Sequence, residues 1–284
     1  MATLALLLIV VPVLLVGLVA AGLIVVRRTP TDPETESIRR RGAAYTVVAG
    51  VLAAVTVTVL LLFPGLPYGL GQALAPLVAG GAMVAVTLVH EATWPKAAGT
   101  VRSASMQRRT VLGSAPRWLL VLGGTGVVGL WVLDLIGIVV AAPGGRSFAA
   151  TFGPETRGHG PFPGAFYAVP TLVTSVVVLA VVAVSLRVLA DRRGLPRDEQ
   201  DQASRRLSAH RILRGAAFGH LATLAGHAVF AGTSFASVYR DTSVEDAGWA
   251  LAFAGLALGL VAVGALVIPS RAVLRLASRQ MSVS

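Results

Sequence analysis

The chain has 284 residues, of which 55% are hydrophobic and 13% charged, with a net charge of +11 and no cysteine. A soluble domain carries about 25% charged residues, so the main solvent of this chain is lipid, and a mean hydropathy of +0.77 agrees. The lack of cysteine excludes disulfides, thiol catalysis and Cys-ligated zinc or iron–sulfur centres.

A spanning helix needs about 20 apolar residues. The first such run, Ala2 to Val26, holds no charge. No basic segment precedes it and Arg27 and Arg28 follow it, so it reads as a retained helix with its N-terminus outside rather than as a signal peptide. From Gly42 to Val89 there are 48 residues without Asp, Glu, Lys, Arg or His. One helix of that length would reach about 72 Å, more than twice a bilayer core. Phe63-Pro64-Gly65-Leu66-Pro67 breaks it into spans of about 43–63 and 68–90, joined as a tight hairpin.

A fourth span covers about 118–142 and contains Asp134; Pro143-Gly144-Gly145 ends it, and a Gly/Pro/Phe-rich loop follows. The fifth covers about 167–190, the sixth about 212–235 with His220 and His227, and the seventh about 248–268, where Pro269 stops it. Between the fifth and sixth, residues 191–211 carry charges of both signs and read as a cytoplasmic helix or a solvated loop. The expected fold is therefore all-α: a polytopic integral membrane protein of seven transmembrane helices forming one domain over 1–284.

Basic residues orient such a bundle. With the N-terminus outside and the C-terminus in the cytoplasm, 21 of the 24 basic residues fall inside, leaving Arg146, Arg157 and Arg240 outside. The arginines thus read as orientation signals and lipid-headgroup contacts. They are not one basic face with stacking aromatics, so no nucleic-acid partner is expected.

One short inner segment carries a resemblance. Glu91-x-Thr-Trp-Pro-x-x-x-Gly-x-Val-Arg102, with Trp94 as an interfacial anchor, is similar to a loop in uncharacterised multi-pass membrane proteins of high-GC Gram-positive bacteria. The resemblance implies membership of such a family and a plasma-membrane location, and no function. From its own chemistry, Glu91 is expected to pair with a nearby arginine.

Lipid gives helices no hydrophobic reason to associate, so small residues mark close packing. Gly215-x-x-x-Gly219 and Gly255-x-x-x-Gly259 are expected to face neighbouring helices or a homodimer partner. His220 and His227 share a helix face with Thr223 between them and Ser234 beyond. Asp134, His227, Thr174 and Ser175 all fall roughly 11–12 Å below the outer surface by residue count. A carboxylate at that depth must face inward and find a donor. Asp134 is therefore expected to meet His227, or the hydroxyls of the fifth span, in one polar cluster.

Known chemistries fit poorly. His90-Glu91 would need a second histidine at position 94, which is Trp94, to be a zincin site. Retinal would need a lysine in the last span, and the one lysine is Lys96 in a loop. No metal, no cofactor and no enzymatic activity are expected. The expected function is that of a non-enzymatic accessory, assembly or interaction subunit, with the lipid bilayer and a membrane-protein partner or second copy as its contacts. The alternative is a small-solute or proton-coupled transporter with its polar site around Asp134 and His227.

Overall fold

In a computed structural model, residues 33–62, 69–93, 115–192 and 198–268 are described. They form six helices: α1 (Pro33–Leu62), α2 (Leu70–Ala92), α3 (Arg117–Val140), α4 (Ala165–Asp191), α5 (Asp198–Val238) and α6 (Glu245–Val267). All six are long and apolar enough to cross a membrane. They correspond to the second through seventh spans read from the sequence; the first, at 2–26, and the turn at 63–67 lie outside the described residues.

α5 is the axis of the bundle. Sixty-one per cent of its most apolar stretch is inside, against 17% for α1 and 22% for α3 and α6. It touches α2, α3, α4 and α6, while α1 rests on α2. The exposed flanks of α1, α3 and α6 carry valine, leucine and phenylalanine, such as Val128, Val139, Phe253 and Leu260. That is the composition a lipid-facing surface requires.

Glycine sets the closest approaches. A side chain at Gly80 of α2 would stand 2.5 Å from the Gly215 carbonyl oxygen and 2.8 Å from the Gly219 Cα. At Gly232 of α5 it would stand 2.5 Å from the Gly248 carbonyl of α6. Helices therefore meet backbone to backbone at both places, as small residues allow in lipid. Gly255 is similarly tight against Ala225 at 2.8 Å, whereas at Gly259 the nearest atom is 3.7 Å away, ordinary contact.

Two features depart from the sequence reading. The connection after α3 is not irregular throughout: β1 (Phe148–Phe152) and β2 (Glu155–His159) form an antiparallel hairpin, so the helical fold carries a small sheet. Gly153, at φ 60, opens its two-residue turn, where a positive φ lets the turn follow the strand twist. Aromatic rings seat the hairpin on the end of α5: Phe148 lies 5.4 Å from both Phe162 and Phe235, and Phe152 lies 5.5 Å from Tyr239. Second, of the two readings of the charged stretch before the sixth span, helix or solvated loop, the structure has the helix from Asp198 on, but not as a separate cytoplasmic element. Its part from Asp198 belongs to α5, a single 41-residue helix of about 62 Å, and Asp201, Arg205, Ser208 and His210 there are buried. The bundle thus has two distinct ends, a hairpin face and an arginine face.

Candidate functional site

Three polar assemblies lie along α5, and each follows from how an apolar helix must treat a polar side chain. A buried donor or acceptor left unsatisfied costs about 1–3 kcal/mol, so each group is driven inward to a partner.

The first is at the arginine face. Glu91, in the last turn of α2, is enclosed. Its Oε2 accepts from Arg192 Nη1 at 2.8 Å, and its Oε1 accepts from Ser208 Oγ at 2.6 Å. Asp201 accepts from Arg205 Nε at 2.7 Å and lies 3.6 Å from Arg192. Arg205 also donates to the carbonyls of Leu189 and Arg192. Two carboxylates and two guanidiniums thus balance in charge and tie the ends of α2 and α4 to the start of α5. Burial lowers the Arg192 pKa, and the Glu91 carboxylate beside it works in the opposite direction. Beside this network the His90 ring packs against Tyr45 of α1, tilted by 48° with the centroids 4.4 Å apart.

The second assembly is in the middle of the bundle. His220 Nδ1 stands 2.8 Å from the Ala216 carbonyl, which can only accept, so Nδ1 carries the proton. Nε2 then accepts from Ser175 Oγ at 3.0 Å, and Ser175 accepts from Trp131 Nε1–H at 2.9 Å. The relay closes with the imidazole neutral and both ring nitrogens used.

The third lies two turns along α5 toward the hairpin face. Asp134 of α3 is completely buried, and its Oδ1 accepts from His227 Nδ1 at 2.6 Å. The other atoms of this pair, Asp134 Oδ2 and His227 Nε2, have no protein partner. Two hydroxyls, Thr171 Oγ1 of α4 and Thr223 Oγ1 of α5, are buried and unpartnered as well. His227 lines a cavity of about 50 Å3 together with Gln72, Phe162, Tyr167 and Phe230.

The structure therefore brings Asp134 and His227 together but divides the single cluster expected from depth. Ser175 joins His220 in the second assembly. Thr174 turns back to its own helix and donates to the Pro170 carbonyl at 2.7 Å. Ser234 donates to the Pro161 carbonyl at 2.8 Å, tying α5 to the loop after the hairpin. Trp94 and Arg102 lie outside the described residues. Sequence reasoning missed Trp131, Thr171, Arg192, Asp201, Arg205 and Ser208 as site residues. Asp201 and Arg205 had a usable signal, opposite charges at i,i+4. Arg192 and Arg205 were counted as headgroup contacts, and the structure turns both inward instead. Among the described residues no group of three or more His, Asp or Glu is placed to hold a metal ion.

Comparison with family models, with curated protein sequences and with solved structures finds no match to this chain.

Proposed function

We propose that the chain is a plasma-membrane protein of seven spans, with its N-terminus outside and C-terminus in the cytoplasm, that acts as a non-enzymatic accessory, assembly or interaction subunit. The observation that supports this reading is how the interior is filled. Helices meet backbone to backbone at Gly80/Gly215 and Gly232/Gly248, and two of the three polar assemblies consume their groups on one another. Such an interior favours a fixed bundle that presents its apolar flanks to lipid or to a neighbour.

A photo-cross-linker at Val128 of α3 or Leu260 of α6 tests this in the intact membrane. A discrete adduct with one membrane protein, or with a second copy, is the expected result. Lipid adducts alone, combined with solute or proton movement by the purified chain in liposomes, would overturn it in favour of the transporter reading. That second reading rests on one observation, the buried Asp134–His227 pair with its open atoms. Orientation is checked separately in this cysteine-free chain. Gly158→Cys should react with an impermeant thiol reagent in intact cells and Glu199→Cys should not.

A further inference from the structure

His220 and His227 are equally buried on one helix, yet only His220 uses both ring nitrogens. His227 spends Nδ1 on Asp134 and leaves Nε2 without a protein partner, although the residue is 2% exposed. A nitrogen in that state carries either a lone pair or a proton, and each needs a hydrogen-bond partner. His227 is one of the residues that line a small cavity, which supplies the room. A cavity needs roughly 10–15 Å3 to hold a water, and this one has about 50 Å3. Its walls include Gly69 at the start of α2, Pro161 to Pro163 after the hairpin, and Tyr167 in the first turn of α4. All of these belong to the hairpin face, so the cavity lies between that face and the ring.

We propose that this cavity holds water and makes Asp134–His227 a proton-binding site served from the hairpin face. Charge gives the reason. With Asp134 ionised and His227 neutral, the pair carries one net negative charge in a low-dielectric interior, which is costly. A proton passed from cavity water to Nε2 leaves hydroxide or, from hydronium, water; the ring becomes imidazolium against carboxylate, and the pair becomes neutral. Release reverses the step, with Nε2 returning the proton to the same water.

The surrounding elements leave this pair in control. Asp134 is the titratable group of α3 within reach of the ring. On α4 it is Tyr167, which shares the cavity, and Arg146 lies beyond it, 5.8 Å over the Phe166 ring. α2 offers Gln72 to the cavity, and its titratable residues, His90 and Glu91, are at the opposite end. On α6 the titratable groups are Glu245 and Asp246 in the first turn. From the hairpin, His159 meets Ser234, seven residues farther along α5. The site needs only equilibrium proton binding, so it holds for a subunit and for a transporter alike.

The test uses the full chain in lipid nanodiscs with 15N-labelled histidine, the His227 signals being identified by their loss in His227→Gln. In the wild type, His227 Nε2 should contact water and change between one-proton and two-proton rings as the pH is varied, while His220 stays constant. Ala73→Leu, which fills the cavity from α2, should slow water exchange at His227 at least about tenfold and leave His220 alone. Phe230→Trp fills it from α5 if that variant does not fold. Asp134→Asn should abolish the pH-dependent change. No water contact at Nε2, exchange unaffected by filling the cavity, or a change that persists in Asp134→Asn would each overturn the proposal.

Discussion

The polar assemblies along α5 bury their groups in different ways, and the arginine half is not closed throughout, since His210 Nε2 there has no hydrogen-bond partner. Toward the arginine face, Glu91 has both oxygens engaged and His220 both nitrogens. Toward the hairpin face, Asp134 and His227 each use one atom and leave the other open, with two unpartnered hydroxyls in the same bundle and a cavity alongside. A closed assembly serves position, because any change in its protonation breaks a bond it cannot replace. An open one is available for exchange. Burial alone does not distinguish these roles; the count of engaged atoms does.

The largest effect is expected where the closed half is most connected. Glu91→Ala leaves Arg192 enclosed with its principal counter-charge removed, and should cost about 3–5 kcal/mol in reversible unfolding from mixed micelles. Replacing Glu91 and Arg192 together by leucine should recover much of that loss, since a buried pair often does no better than apolar residues of similar size. A Glu91→Ala protein as stable as the wild type would show that water reaches this network and that it is not closed.

Next comes the open half. His227→Leu strands a carboxylate in the apolar interior and should cost about 2–3 kcal/mol. Asp134→Asn keeps an acceptor for Nδ1 and should cost within about 1 kcal/mol. The gap between these two variants, read in the same unfolding experiment, sharpens the comparison. In the closed half Ser175→Ala admits no such mild substitute. It leaves the Trp131 N–H and His220 Nε2 both unmet and should cost about 1–3 kcal/mol.

How much of this was legible beforehand follows the physics of each signal. Six spans could be read because hydropathy over 20 residues is a sum, insensitive to any one position. The Asp134–His227 contact could be reached from depth, since a lone carboxylate in a span must find a donor. Depth by residue count errs by up to a turn, however, and so it could not separate Ser175, which bonds His220, from the Asp134–His227 pair. Residues 198–211 looked solvated because hydropathy sees only composition. The burial of a residue such as Ser208 depends on a partner far along the chain, Glu91, 117 residues away. Gly80 was unmarked because its partners, Gly215 and Gly219, sit on another helix at a spacing no local motif records.

The smallest effect comes from the same ion-pair chemistry placed on the exposed surface at a helix end. Arg187 and Asp191, at i,i+4 near the end of α4, stand 2.7 Å apart, nearly the distance of the Glu91–Arg192 pair. Their side chains are 70% and 58% exposed, against 2% or less in the buried pair. Water and salt screen the attraction, and both long side chains keep their alternatives, so such pairs contribute about 0.3–0.5 kcal/mol. The order of the charges weakens it further. The base precedes the acid, the less favourable sense at this spacing, and Asp191 faces the negative end of the helix dipole. Arg187→Ala should therefore change stability by no more than about 0.5 kcal/mol, and raising the salt concentration should erase even that. A loss comparable to that of Glu91→Ala would mean that the end of α4 is enclosed by something beyond the described helices, and that the closed region extends past Arg192.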